Sequence, residues 1–314
     1  MKLYILFLSA LIFLYSCSSS VNPKMDNTDR IVFSSRRDTH YQIYTVNPDG
    51  SDVRQITFFR NYHAFTPRWS PDKSQIVFAS DSLGTTAGNA LYIMNADGTN
   101  IHPVKWMPGP LGTRMPLEGR LPNWSPDGNT IIYNYCSLCE EGGSDKEIYA
   151  INLATLDTLQ LTHLPADGEG GIFSPDGQKI LFSSNRDHIN ERILHPHLYI
   201  MNADGSDQTR LMPDFLQISV SGRWSHDNKT IIFTADSGQL YSYSLITKKW
   251  FKLDVGMPDL FFFAQSWSVK DKKLLLLGSV IENGRILRSF YIFNFTNKDI
   301  IKIVADNRVD LSDW

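Results

Sequence analysis

A Trp-Ser-Pro-Asp element recurs along this chain. Trp69-Ser70-Pro71-Asp72 and Trp124-Ser125-Pro126-Asp127-Gly128 are its clear copies. Phe173-Ser174-Pro175-Asp176-Gly177, Trp224-Ser225-His226-Asp227 and Trp267-Ser268 are weaker ones, and Trp314, after Ser312-Asp313, is a truncated last copy. The aromatics are 55, 49, 51, 43 and 47 residues apart, the period of a supersecondary unit and not of a domain. Six aromatics in register predict six units.

Each aromatic is followed by a turn and a short apolar run, such as Ile76-Val77-Phe78-Ala79, Ile131-Ile132-Tyr133 or Leu274-Leu275-Leu276-Leu277. Short β-branched or aromatic runs bounded by polar turn residues read as buried strands. Ser-Pro-Asp-Gly suits a type I turn, with proline pre-set for the second position. A tyrosine-bearing strand follows, as in Leu91-Tyr92-Ile93-Met94 and Leu198-Tyr199-Ile200-Met201, and ends in Asn95-Ala96-Asp97-Gly98 or Asn202-Ala203-Asp204-Gly205. Asp-Gly between apolar runs is a strong hairpin signal. A fourth strand holds Gln55-Ile56-Thr57 or Gln160-Leu161-Thr162. Four antiparallel strands per unit describe a propeller blade, so the chain is read as all-β: a six-bladed β-propeller over residues 30–314.

The first unit begins at Ile31-Val32-Phe33-Ser34-Ser35, which matches the second strand of later units, and no tryptophan precedes it. The segment 309–314 is an orphan first strand at the other end. The two complete one blade if the C-terminal strand joins the first blade, which removes two free sheet edges.

The combination Trp-Ser-Pro-Asp-Gly, apolar strand, Tyr-Ile-Met-Asn-Ala-Asp-Gly and Leu-Thr resembles the TolB-type, WD40-like β-propeller repeat family across roughly residues 30–314. Units five and six depart from it at the first turn, with Ser225-His226-Asp227-Asn228 and Ser268-Val269-Lys270-Asp271. The resemblance implies a non-enzymatic, periplasmic interaction scaffold with an envelope protein or peptide as partner. TolB itself carries a further N-terminal α/β domain and is soluble, so its role in the Tol–Pal system is not carried over.

Residues 1–16, with Lys2 ahead of a short apolar run, read as an export signal. Leu14-Tyr15-Ser16-Cys17 looks like a bacterial lipobox, with Cys17 as the lipidated residue; an ordinary signal peptide with an incidental cysteine is the alternative. Residues 17–29 then form the lipidated cysteine and a polar tether reaching about 20 Å, and hold the protein at a membrane through its lipid. Ser18, in place of the aspartate that retains enterobacterial lipoproteins in the inner membrane, favours the outer membrane, facing the periplasm or the outside. The net charge of −3 and the lack of a long basic stretch argue against nucleic acid, and the ring is expected to be monomeric. Cys136 and Cys139 read as a local disulfide, since two cysteines make an incomplete metal site.

In such a blade the tight Ser-Pro-Asp and Asp-Gly turns share one face of the disc, and the irregular connections share the other. The latter include 81–90, 104–121, 136–147, 185–197 and 279–289. Long loops on a rigid scaffold are where binding is usually placed. Segment 104–121 carries Trp106, Arg114 and Arg120; Trp106 beside arginine resembles a binding hot spot, or packs the loop onto its blade. Arg68, Asn123, Ile172, Arg223, Ser266 and Asp313 precede the six aromatics and are expected to ring one mouth of the central channel at the entry to the innermost strands. Their arginines could hold a carboxylate, or only satisfy loop carbonyls. His63 and His197 are among six histidines assigned to the long-loop face, with solvated side chains as the default.

No Gly-x-Ser-x-Gly elbow and no Walker-type or dinucleotide-type glycine pattern occurs, and no cofactor is expected. Asp167 and Glu169 read as loop carboxylates without an identifiable partner. The favoured expectation is a lipid-anchored, non-enzymatic propeller that binds a protein or peptide. The alternatives are a carbohydrate-binding propeller, with aromatic platforms near Trp106 and Phe65, and a polysaccharide lyase or hydrolase working on the long-loop face.

Overall fold

A computed structural model describes residues 29–314, except 38, 82–88, 110–111, 137–145, 164–167, 189–195, 212–217, 236–237, 269, 271, 305–308 and 314. The expected export signal, Cys17, the tether up to residue 28, Cys139 and Trp314 lie outside the described residues.

The first turns of units two to five are closed by their own side chains. The serine hydroxyl donates to the aspartate two residues on, at 2.6 Å from Ser70 to Asp72 and 2.7 Å from Ser225 to Asp227. The same oxygen accepts the backbone N–H five residues on, at 2.9 Å from Gln75, Thr130, Lys179 and Thr230. The fourth turn residue is left-handed: φ is 59° at Lys73, 73° at Gly128, 72° at Gly177 and 58° at Asn228. Glycine adopts this region freely, whereas Asn228 and Lys73 occupy it at a cost. The fifth unit therefore keeps the turn despite lacking the proline and glycine.

Six four-stranded antiparallel sheets result. The innermost strands of blades 2 to 6 are Ala64–Trp69, Arg120–Trp124, Gly168–Phe173, Ile218–Trp224 and Phe261–Trp267. Blade 1 runs Val309–Asp313, Ile31–Ser35, Gln42–Val46, Arg54–Gln55, with Val32 opposite Asp313 and Ser35 opposite Val309. The C-terminal strand thus closes the ring. Each innermost pairing carries a register irregularity, such as that between Phe65 and Arg68 or between Arg120 and Asn123. Bulges of this kind twist a strand and re-aim its side chains.

The repeated aromatics join blades to one another. Trp124 Nε1 donates to the carbonyl of Arg68 at 3.2 Å, and Trp224 Nε1 to that of Ile172 at 3.2 Å. In both pairs the acceptor is the residue before the aromatic of the preceding blade. Trp69 Nε1 reaches Arg30 O at 3.1 Å across the closure. Phe173 has no such donor, and Trp267 Nε1 is buried without a hydrogen-bond partner among the described residues. The apolar core follows the same logic, with clusters shared by adjacent blades: Ile31, Phe33 and Tyr44 of blade 1 pack with Leu275, Leu277 and Phe290 of blade 6. Inside five blades an aromatic pair faces across the second and third strands, as in Phe78–Tyr92 and Phe182–Tyr199, with centroids 5.7 and 5.6 Å apart. The Asp-Gly turns also seal blade to blade. Gly205, at φ 88°, lies where a Cβ would come 2.7 Å from Leu161 O of blade 3.

Two connections differ from expectation. Segment 279–289 is not an irregular loop, because the strands Lys273–Glu282 and Arg285–Asn294 continue through it and pair Ser279 with Arg288 up to Glu282 with Arg285. Asn283-Gly284 makes the tight turn, both at positive φ, and the β-branched and apolar Val280, Ile281, Ile286 and Leu287 extend the ladder up to it. Segment 104–121 also holds order, in the small hairpin Trp106–Pro108 with Arg114–Pro116.

Candidate functional site

The innermost strands run towards the short-turn face, so the residue before each aromatic lies at a strand exit and not at an entry. Arg68, Asn123, Ile172, Arg223, Ser266 and Asp313 line one concavity of about 320 Å³ together with His226 and the turn prolines. The candidate residues therefore do not share a face. Arg68, Asn123, Arg223 and Asp313 meet at the short-turn mouth, whereas Arg120 lines a cavity at the opposite mouth.

Both mouth arginines are buried. Arg68 Nη1 donates to Ser312 O at 2.8 Å and to Pro67 O at 3.1 Å; its Nε and Nη2 have no partner among the described residues. Arg223 donates through Nε to Gln265 O and through Nη1 to Gly222 O at 3.0 Å. Gln265 Oε1 accepts the N–H of Ser312 at 3.1 Å, and Asp313 Oδ2 accepts that of Trp69 at 3.0 Å. One polar network thus ties blades 5, 6, 1 and 2 around the axis, and carbonyl satisfaction accounts for part of what the arginines do. Burial bears on the charge of both. Burial and the like charge of Arg68 push the Arg223 guanidinium down to about 9, against the pull of Asp313. Burial lowers Arg68 as well, again opposed by Asp313. Lys73, which no motif singled out, adds a third cation: burial lowers its ammonium against Asp313 and Asp29, and it sits 5.3 Å from the Trp69 ring.

At the long-loop mouth a cavity of about 300 Å³ is lined by Phe65, Thr66, Arg120, Leu121, Lys146 and Glu169, among others. Glu169 is not a partnerless loop carboxylate; it belongs to the strand Gly168–Phe173 and pairs with Lys146. Phe65 stacks on His63, with centroids 5.4 Å apart and planes at 19°, and Tyr41 and His40 flank His63. His63 Nδ1 accepts the N–H of Tyr41 at 2.8 Å. His197 is not a solvated loop residue: it opens the strand His197–Asn202 and is fully buried. Trp106 is 52% exposed, and Arg114 is exposed as well. Cys136 is disulfide-bonded. Among the described residues no group of three or more His, Cys, Asp or Glu side chains could hold a metal ion.

The largest of these concavities, about 960 Å³, is a groove between blades 3 and 4 where Phe173 stands in place of tryptophan. Its lining joins polar turn residues and Asp127, Asp157 and Asp176 to apolar Leu159, Phe173 and two prolines, and holds no Lys, Arg or His, so the charged mouth is the better candidate despite its smaller volume.

No family profile matches the chain. A TolB homolog of Chlorobium luteolum is 28% identical over 180 residues, 57% of this chain and 35% of the relative. TolB from Acinetobacter baumannii superimposes with a TM-score of 0.66 at 19% identity, over 92% of this chain and 67% of that one. The chain has the β-propeller fold that TolB shares. The uncharacterized peptidase YuxL of Bacillus subtilis is also similar, 27% identical over 166 residues, 43% of this chain and 24% of the relative. The chain matches about a third or less of the length of these curated relatives.

Proposed function

We propose that this TolB-type propeller is a cell-envelope protein that binds a protein or peptide, seating a carboxylate of the partner at the short-turn mouth. One observation carries the reading: the buried Arg68 guanidinium lines a cavity in which Asp313 is the one carboxylate among the described residues, and only its Nη1 is hydrogen-bonded there. A buried cation with incomplete compensation gains most from a ligand anion, since charge-assisted hydrogen bonds strengthen away from water. Arg68 keeps Nε and Nη2 for that purpose, and Asn123 and Ser266 supply neutral partners beside it. The TolB relatives support an envelope setting. Residues 1–16 act as the export signal, and Cys17 carries the lipid that ends the tether at the membrane.

Short peptides with a free C-terminal carboxylate, and their amidated counterparts, test the seat by fluorescence anisotropy. Free-acid peptides from an envelope-derived library are expected to bind, and Arg68→Gln to weaken them about tenfold, as the loss of one charge-assisted pair predicts. Equal affinity for amidated peptides, or an unaffected Arg68→Gln protein, would remove the reading. Anchoring is checked separately: fatty-acid label is expected to disappear in Cys17→Ala, and retained label would refute lipidation.

A further inference from the structure

The opposite mouth carries features that a peptide seat at the short-turn face leaves unused. Thr66 and Leu121 both line the long-loop cavity, and both hold φ at 48°, in the left-handed region. A β-branched residue there costs roughly 1–3 kcal/mol, and such strain clusters at ligand sites. The equivalent bulge in blade 4 uses Gly170, at φ 67°, where no penalty arises. The Thr66 hydroxyl does not offset its strain, since Oγ1 is buried with no hydrogen-bond partner among the described residues. Two non-glycine residues thus keep a strained backbone around one cavity.

The chemistry of the wall is specific. Arg120 is exposed, and its guanidinium has no hydrogen bond or ion pair among the described residues. Lys146 and Glu169, paired with each other, set a donor and an acceptor side by side at the rim. Phe65 supplies a half-exposed ring, held in place by the His63 stack. A free cation, an aromatic face and adjacent donor and acceptor groups match a ligand with a carboxylate, an apolar ring face and several hydroxyls. A peptide carboxylate uses only the first of these.

We infer that the long-loop mouth binds a carboxylated saccharide, with its carboxylate on Arg120, a sugar face against Phe65 and hydroxyls on Lys146 and Glu169. Such a site lets one ring hold a peptide at one mouth and an acidic glycan at the other.

Calorimetric titration of the full ring with uronate trisaccharides tests this. Galacturonate, glucuronate, mannuronate and guluronate oligomers serve as probes, each beside its methyl ester. At least one acid is expected to bind, with its ester about tenfold weaker. Arg120→Gln and Phe65→Ala should each weaken that acid about tenfold while leaving the melting temperature within about 2 °C of the parent. A free-acid peptide held at the short-turn mouth should not compete, so the two sites stand or fall separately. The inference is overturned if no uronate binds, if ester and acid bind alike, or if Arg120→Gln changes nothing. Displacement of the saccharide by an acidic peptide would make this a peptide site and overturn it equally.

Discussion

Trp124→Phe removes one inter-blade hydrogen bond and little else. The indole N–H reaches Arg68 O at 3.2 Å in a buried position, so the substitution leaves that carbonyl with one partner fewer. Losing such a bond costs about 1–2 kcal/mol, at the low end because a carbonyl has a second lone pair. The smaller ring also gives up roughly 40 Å² of buried apolar area, about 1 kcal/mol. The sum is about 2–3 kcal/mol. A ring of about 285 residues unfolds with an entropy of roughly 0.6 kcal/mol/K, so the melting temperature should fall by about 3–5 °C in differential scanning calorimetry. Trp267→Phe is the internal control, because its Nε1 has no partner to lose; only the area term applies, about 2 °C. Phe173→Trp supplies the converse, since an indole there should reach Asn123 O and fill part of the neighbouring groove. It is expected to be neutral or to raise the melting temperature by about 2 °C. The reasoning is refuted if Trp267→Phe loses as much as Trp124→Phe, or if Trp124→Phe melts within 1 °C of the parent, a limit far below the ~3 °C expected.

Gly205→Ala should cost about 2–4 kcal/mol, because its Cβ would meet Leu161 O at 2.7 Å on a backbone at φ 88°. Gly112→Ala, also at positive φ but with open space around it, should cost only about 1 kcal/mol, and urea unfolding separates the two. Asp72, Asp127, Asp176 and Asp227 are each held below the usual carboxylate range, chiefly by the hydroxyl of the turn serine. Their folded values lie under the unfolded ones, so the stability they add is fully present above about pH 4 and lost as pH falls through the folded values. Acid titration of the melting temperature should therefore drop below about pH 4, and Asp127→Asn should shallow that drop. Asp313→Asn should destabilise the ring by about 1–2 kcal/mol, since the Trp69 N–H loses a charged acceptor, and should tighten binding of free-acid peptides by leaving Arg68 and Arg223 less compensated. Weaker peptide binding in that variant would contradict the seat.

Spacing and turn chemistry were enough to read the blades from the sequence. Six aromatics at a steady period, Asp-Gly hairpins and an orphan strand at each end leave one way to close the ring, and Val32 does face Asp313. Local rules reach that far because strands and turns depend on neighbours in the chain. The same rules misread 279–289, where the strands run past the usual length and only pairing of one with the other decides between ladder and loop. Glu169 was legible as a carboxylate, but Lys146 lies 23 residues away, and only the packing of blade 3 against blade 4 brings them together.

The sequence by itself determined the number of blades, the strand that closes them and the positions of the short turns, since each depends on a period or a dipeptide. Tertiary structure decided what the repeated residues are for. Trp69, Trp124 and Trp224 serve as donors to the preceding blade, and the residues before the repeated aromatics gather at strand exits, which separates Arg68 and Arg223 from Arg120 by the thickness of the disc. Strand direction and blade order set which mouth a side chain faces, and those are properties of the closed ring and not of any stretch of chain.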